Sequence, residues 1–192
     1  MNDLQVLVQK RSGSDPDYCD VDSLRSRLGY DINTMRINGY DSSIIEEHRT
    51  FNAMLEIFLA HPLIGQYLME LTPRETFFAS GIRIQSLEGI KEEMQALTPG
   101  SLIFNHGYLV FATSIGGNAL CFHAASGKVF WADHTMSHDS ITYKDRRTSE
   151  WFNVPFTAES LEKALVPLSD NIQEFLKDLL EDKLTTQLDA LD

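Results

Sequence analysis

Cys121 and His123 are the two residues whose types and spacing most directly suggest covalent chemistry. A thiolate beside an imidazole has the components of an activated nucleophile, as in a small cysteine-dependent hydrolase. The pair lies two positions apart in an apolar run, and a strand would direct both side chains to one face of a sheet, where neighbours at this spacing diverge. Leu120 and Phe122 would occupy the other face, and a cysteine covered on both sides is inert. The pattern leaves both alternatives open and favours the buried cysteine.

Three histidines are the best candidates for metal ligands. His123, His134 and His138 could converge with Asp133 and Asp139. Zinc requires three or four ligands in a compact tetrahedral set, which CxxC pairs or an HExxH helix usually provide. Neither motif supports this cluster, so hydrogen-bonded or solvent-facing histidines are the favoured alternative. We therefore predict no bound metal.

The triplet Gly116-Gly117-Asn118 has the composition of a phosphate-binding loop. It lacks the spacing and the lysine of a P-loop, and it joins two predicted strands rather than a strand and a helix. A hairpin turn is the expected structure, because glycine adopts positive φ without a steric penalty. No nucleotide or other cofactor is predicted.

The elements that would position these residues lie between residues 107 and 134. Three apolar runs, at residues 107–113, 118–124 and 128–134, are separated by glycine-containing turns. Short runs of β-branched and aromatic residues between such turns are typical of an antiparallel meander. We predict an α+β fold in which a mostly antiparallel sheet, centred on residues 101–134, is covered by helices.

Hydrophobic periodicity predicts the covering helices at residues 43–60, 87–95 and 171–183. Shorter elements are predicted as strands at 82–84 and, at an edge, 141–143, and as helices at 23–28, 63–71 and 158–166. The other predictions are strands at 3–9, 34–37 and 101–105, a loop at 145–153 and a frayed terminus at 185–192.

Composition narrows the class of protein. The chain has 192 residues, of which 43% are hydrophobic, and we interpret residues 1–192 as a single domain. Its formal net charge is −12, which disfavours nucleic acid as a partner because phosphate groups select basic surfaces. The sequence has neither an apolar run of membrane-spanning length nor a secretory signal pattern. We therefore expect a cytoplasmic protein with no membrane partner.

A candidate protein-binding surface lies at the open ends of the predicted meander. Asn118, His123, Asp133 and His134 are expected there, with Trp131 nearby. An aromatic side chain beside a few fixed polar groups suits a protein interface. The alternative is that Trp131 belongs to the core, where tryptophan is often largely buried.

The last predicted helix provides a second candidate surface. Residues 159–192 contain nine acidic and three basic residues, which accounts for half of the net charge. Glu174, Asp178 and Glu181 are expected on its exposed face and are predicted to contact a partner. An acidic surface speeds encounter with a basic partner, although acidity can also serve solubility alone.

An ordered series of motifs points to a known family. The series is Phe111-Ala112, Gly116-Gly117-Asn118, Leu120-Cys121-Phe122-His123, Gly127, Val129-Phe130-Trp131 and Phe175-Leu176. Residues 82–184, which contain it, resemble the SUKH superfamily of fungal cell-wall-assembly regulators and bacterial toxin-immunity proteins. Residues 1–40 do not match the family, and we interpret them as an extension packed on the same core.

The resemblance implies a SUKH-like fold and a non-enzymatic function in protein binding. The family's bacterial members act as immunity proteins against toxins, often nucleases, so the implied partner is a toxin domain, and a basic one would suit the charge of this chain. Fungal and other members act as regulatory scaffolds, which is the first alternative. The cysteine-dependent hydrolase suggested by Cys121 and His123 is the second.

Overall fold

A six-stranded antiparallel sheet lies at the centre of the protein. The computed structural model describes residues 3–145 and 147–191, so Arg146 and Asp192, which fall in predicted segments, lie outside the described residues. In their order across the sheet, the strands are β1 (Phe77–Ala79), β2 (Ile82–Ile84), β3 (Tyr108–Thr113), β4 (Ala119–His123), β5 (Val129–Ala132) and β8 (Val166–Ser169). A separate antiparallel hairpin consists of β6 (Ser140–Lys144) and β7 (Trp151–Pro155).

The three central strands form the predicted meander. β3 pairs with β4, with Tyr108 opposite His123, and β4 pairs with β5, with Leu120 opposite Trp131. The turn between β3 and β4 contains Gly117 at a φ of 91°, a left-handed conformation that favours glycine. The α+β fold and the mostly antiparallel sheet are therefore confirmed.

Helices cover this sheet. They are α1 (Asp3–Ser12), α2 (Val21–Leu28), α3 (Ile32–Ile37), α4 (Ser42–Ala60), α5 (Pro62–Gln66), α6 (Leu87–Gln95), α7 (Gly100–Ile103), α8 (Ala158–Ala164), α9 (Ile172–Leu180) and α10 (Thr185–Asp189). The six predicted helices correspond to α2, α4, α5 with the π-helical turn Tyr67–Leu71 that continues it, α6, α8 and α9. The side chain of Asn171 caps α9 by accepting hydrogen bonds from the backbone N–H groups of Gln173 and Glu174.

The first face of the sheet carries the larger core. Leu109, Phe111, Leu120 and Phe122 join buried residues from α1, α2, α4, α5, α6 and α9 in one apolar cluster. The rings of Phe111 and Phe122 stack with centroids 4.0 Å apart, and Tyr67 packs against both rings edge-on. This face is closed by helices along most of its length.

The second face of the sheet carries a smaller core. Val110 and Cys121 pack there with Ile103 of α7, Ile141 of β6 and Leu161 of α8. The β6–β7 hairpin thus covers part of this face instead of extending the central sheet. β4 is consequently covered on both sides.

The strand predicted at residues 3–9 is wrong, since α1 occupies this segment. Leu4 and Val8 are buried in the larger core, whereas Val6 between them is 45% exposed. Positions i and i+4 share one helix face, so Leu4 and Val8 point into the core together. Val6, two residues from each, faces solvent, and the apolar alternation is therefore compatible with a helix.

The strand predicted at residues 34–37 is also wrong, because α3 begins before it. The carboxylate of Asp31 accepts hydrogen bonds from the backbone N–H groups of Asn33 and Thr34, as a helix N-cap does. Asp31 therefore provided a stronger local signal than the short apolar pattern.

The strand predicted at residues 101–105 is replaced by α7 and a 3₁₀ turn, Phe104–His106. A helical turn lets Leu102 pack in the smaller core while Phe104 packs in the larger one. Gly100 begins α7 in close contact with α6, where an added Cβ would lie 2.4 Å from the carbonyl oxygen of Glu93. Only glycine fits this approach.

The C-terminal third contains more regular structure than the sequence indicated. Residues 151–153 of the predicted loop 145–153 belong to β7, and the segment after α8 forms β8, which includes Pro167. Proline is tolerated there because β8 is an edge strand. Within residues 185–192, predicted to fray, α10 forms and buries Leu188 in the larger core.

Candidate functional site

A cleft of about 470 Å³ lies beside β8, between the β6–β7 hairpin, α8 and the residues that follow α10. We call it the aromatic cleft, because two tryptophans and a tyrosine line it. The lining residues that bear on its chemistry are Trp131, Asp133, Tyr143, Lys144, Trp151 and Lys163.

The hairpin that forms one wall of the aromatic cleft is built around a carboxylate. Asp145 Oδ1 accepts hydrogen bonds from the backbone N–H groups of Thr148 and Arg147 at 2.9 and 2.8 Å, and these bonds hold the pKa of Asp145 below its usual range. The turn brings the strands into register, with Trp151 opposite Lys144. Local hydrogen bonding therefore positions both residues at the cleft.

The two tryptophans of the aromatic cleft differ in their exposure to solvent. Trp151 is 67% exposed, and its neighbour Phe152, which stacks on Tyr143 at 5.7 Å between ring centroids, is 37% exposed. Trp131 is only 3% exposed and belongs to the larger core. The structure thus places Trp131 in the core, as the alternative for this residue held, and Trp151 is the aromatic side chain available to a partner.

Charges of both signs surround these aromatic rings. Lys163 Nζ donates to Glu159 at 2.7 Å across one turn of α8, which raises the pKa of Lys163 and lowers that of Glu159. Lys144 and Asp133 also line the cleft. An exposed tryptophan within a mixed polar rim can bind a protein surface that offers an apolar centre.

Asn118, Asp133 and His134 lie together at one end of the meander. Asn118 is 5% exposed, and its Oδ1 accepts a hydrogen bond of 3.0 Å from the backbone N–H of His134. Asp133 Oδ1 accepts from the backbone N–H of Thr135 at 2.7 Å. Asn118 therefore joins the β3–β4 turn to the end of β5, and of these three predicted residues only Asp133 lines the aromatic cleft.

His123 lies at the opposite end of β4 from Asn118. Its ring stacks on Tyr108 at 4.5 Å between centroids, and its Nδ1 lies 2.9 Å from Ser126 Oγ. Burial lowers the pKa of His123 below its ordinary value. The structure therefore does not bring His123 together with the other predicted partner-binding residues of the meander.

Cys121 is buried on the second face of the sheet. Its Sγ donates to the carbonyl oxygen of Phe130 at 3.6 Å, and burial raises the pKa of the thiol well above its ordinary value. A buried, protonated thiol is not a nucleophile. The geometry therefore disfavours the hydrolase that Cys121 and His123 suggested.

The predicted acidic residues of the last helix differ in their surroundings. Glu174 is exposed in the first turn of α9. The side chains of Asp178 and Glu181 are 35% and 28% exposed and pair with Lys183 at 3.4 and 2.5 Å. This ion pairing lowers the pKa of Glu181 and neutralises part of the acidic surface.

Sequence reasoning missed Trp151, Tyr143 and Lys163 as candidate site residues. The run from Trp151 to Phe156 is rich in aromatic residues, which are enriched in strands, and it follows another strand-like run at 141–143. That signal could have predicted the hairpin. Lys163 had no such signal, because only the packing of α8 brings it to the cleft.

Among residues 3–145 and 147–191, no group of three or more His, Cys, Asp or Glu side chains is arranged to hold a metal ion. Within the same residues, every helix is too short or too polar to span a membrane.

Comparison with known proteins gives no relative for this chain, since no family model, curated protein or solved structure matches it.

Proposed function

We propose that this chain is a non-enzymatic protein-binding module of the SUKH type, which acts as an immunity protein and neutralises a cognate toxin by direct binding. The observation that carries the proposal is the exposed Trp151 beside the aromatic cleft. A regulatory scaffold of the same superfamily is the alternative, and it would use the same cleft for a different protein.

The chemistry of the aromatic cleft supports a protein ligand. Tryptophan and tyrosine are enriched among the few interface residues that contribute most of the binding free energy. Trp151 would lose much apolar exposure in a complex, whereas Lys144 and Lys163 would remain at a polar rim. Such an arrangement binds a surface and requires no catalytic group.

Net charge supports a basic partner. The formal charge of −12 would accelerate encounter with a basic toxin, and the anchor residues would then slow dissociation. Binding over a nuclease active site or its nucleic-acid groove would block the toxin. Electrostatic attraction therefore speeds association of the complex, and the aromatic cleft contributes most of its affinity.

A rescue assay tests the proposal. The chain would be co-expressed with C-terminal domains of the toxins encoded beside it, and cell survival would be scored. We expect survival with one cognate toxin, and we expect Trp151→Ala to weaken the affinity of the purified complex by about 30-fold, as for an interface residue worth about 2 kcal/mol.

A matched variant separates anchoring from general loss of aromatic surface. Tyr40 is 51% exposed and lies between α3 and α4, away from the cleft, so Tyr40→Ala should leave rescue and affinity unchanged. Equal affinity of Trp151→Ala and the unmodified chain would overturn the site. Toxin killing in the presence of the well-expressed, folded chain would overturn immunity and favour the scaffold.

A further inference from the structure

The outer edge of β7, on the side away from β6, is an open sheet edge. Among the described residues, β7 pairs with β6 alone, and the two strands form a sheet of their own. Four of the five residues of β7 are exposed, and Val154 is half-buried. A two-stranded hairpin is marginally stable by itself, and an open edge can pair with a further strand.

The hydrogen bonds of the hairpin show which backbone groups face the open edge. The N–H of Asp145 donates to the carbonyl oxygen of Glu150 at 2.9 Å, and the N–H of Phe156 donates to that of Asp139 at 3.1 Å. Bonding residues alternate along an antiparallel ladder, so the even-numbered residues of β7 bond β6. The residues whose backbone groups point outward are Trp151, Asn153 and Pro155.

Trp151 and Asn153 supply the donors of the open edge. Their backbone N–H and C=O groups have no hydrogen-bond partner among the described residues. Pro155 has no N–H, and its carbonyl oxygen accepts from Ser160 Oγ at 2.9 Å while a second lone pair remains. Proline is tolerated here because the N–H that it lacks would face solvent. One added strand would therefore satisfy the outward groups of β7.

Charge permits a second copy of this acidic chain at the open edge. Residues 151–155 contain no charged side chain. Residues 140–157, which include the hairpin, carry three basic and two acidic side chains, so the acidic surplus of the chain lies elsewhere. Edge strands often carry charged side chains that prevent pairing with another copy. β7 has none, and its proline removes a single donor.

Two copies of β7 are complementary in an antiparallel pair related by a two-fold axis at Asn153. The two Asn153 residues then exchange both backbone hydrogen bonds. Trp151 lies opposite Pro155 of the second copy and donates its N–H to that carbonyl oxygen. Glu150 lies opposite Phe156 of the second copy, so no like charges face each other.

The turn of the hairpin selects this register. Ser149 has a φ of 60°, a left-handed conformation that ends the extended backbone. A two-fold axis at Trp151 would place Ser149 opposite Asn153 and would leave Pro155 unpaired. An axis at Asn153 pairs the whole strand.

We propose that β7 is a dimerisation edge, which pairs with β7 of a second copy to form a four-stranded sheet. The inference goes beyond the proposed function and does not depend on it, because it concerns the backbone groups of β7. Dimerisation would place Trp151 beside Pro155 of the second copy, so it would share Trp151 with partner binding at the aromatic cleft. Asn153 does not line that cleft, and changes there separate the two events.

Charge-swapped variants test the pairing. Asn153→Lys and Asn153→Glu each place two like charges at the axis, whereas an equal mixture of the two variants brings opposite charges together. In sedimentation equilibrium we expect the unmodified chain to dimerise, each variant alone to dimerise about tenfold more weakly, and the mixture to form a heterodimer. Asn33→Lys, the same change at an exposed position of α3, should leave dimerisation unaltered.

Amide hydrogen exchange in the unmodified chain assigns the contact to the open edge. The amides of Trp151 and Asn153 should exchange about tenfold more slowly when the concentration rises from about 10 μM to about 1 mM. The amides of Phe152 and Val154, which already bond β6, should keep their rates. This measurement decides the question even if an Asn153 variant does not fold.

Three results would overturn the proposal. They are a chain that stays monomeric over this range, dimers that Asn153→Lys leaves intact, and protection of the Trp151 and Asn153 amides only in a toxin complex, which would assign the edge to the toxin. Failure of toxin rescue would leave the dimer intact, and a monomeric chain would leave the role of Trp151 intact, so the two proposals fail separately.

Discussion

The first face of the sheet and the two clefts at its sides differ in which side chains they bury and which they leave exposed to solvent. The first face closes a continuous apolar core beneath α1, α2, α4, α5, α6 and α9, with ring stacks at its centre. The aromatic cleft leaves Trp151 exposed, and a cleft between β2 and α6, lined by Arg83, Gln85 and Glu92, holds the buried carboxyl group of Glu93. The first face should therefore contribute most of the free energy of unfolding. The exposed ring of Trp151 and the buried carboxyl group of Glu93 should each lower that free energy locally.

The largest expected effect concerns the first face. Phe175 of α9 is 4% exposed in the larger core, so Phe175→Ala should lower the free energy of unfolding by about 3–5 kcal/mol. Trp151→Ala, at a site 67% exposed, should change it by less than about 0.5 kcal/mol. Urea unfolding of both variants measures this contrast, and similar losses in the two would remove the distinction between core and cleft.

The next effect concerns the buried carboxyl group of Glu93 on α6. Its pKa is raised from 4.5 to about 7, so the folded state keeps a proton that the unfolded state loses. The free energy of unfolding should therefore fall, by on the order of 2 kcal/mol, as the pH rises from about 4.5 to about 7. Glu93→Gln should lack this part of the pH dependence.

Urea unfolding at pH 5 and pH 8 checks that sign. The difference between the two pH values should be smaller in Glu93→Gln than in the unmodified chain, and Glu174→Gln should match the unmodified chain. An identical pH dependence in Glu93→Gln would mean that the carboxyl ionises as readily in the folded state as in the unfolded state.

The smallest effect concerns a buried hydroxyl group within the first face. Tyr67 is 2% exposed, and among the described residues its hydroxyl is the buried side-chain atom that has no hydrogen-bond partner. Tyr67→Phe removes that group without losing a bond and should stabilise the protein by about 1 kcal/mol. Thermal unfolding measures this, with the exposed Tyr18→Phe as a control expected near zero. A clear loss of stability would show that the hydroxyl is hydrogen-bonded.

Local signals in the sequence predicted much of the fold. The meander followed from glycine turns and from short apolar runs, and α4, α6 and α9 followed from three- and four-residue spacing. The errors fell where one pattern suits two structures. Leu4, Val6 and Val8 alternate as in a strand, yet a helix buries the outer two and exposes the middle one.

The candidate site was predicted less well, for a related reason. Trp131 and Asp133 do line the aromatic cleft, but the exposed aromatic residue there is Trp151, in a segment predicted as a loop. Asn118 and His134 meet through a hydrogen bond that joins the β3–β4 turn to the end of β5, and Asp133 lies beside His134, whereas His123 lies at the far end of β4. The length of β4 thus separates His123 from Asn118, although the sequence analysis had placed both in one binding surface.

The sequence by itself determined the properties that depend on composition and on neighbours within a few residues: the α+β class, the turns of the meander and the net charge. Only the tertiary structure decided which tryptophan is exposed, that Glu93 is buried, and that β8 pairs at the edge beside β5. Burial depends on contacts between segments far apart in the chain. Such contacts leave no fixed spacing in the sequence, so the two clefts could be located only once the helices and the hairpin had taken their places around the sheet.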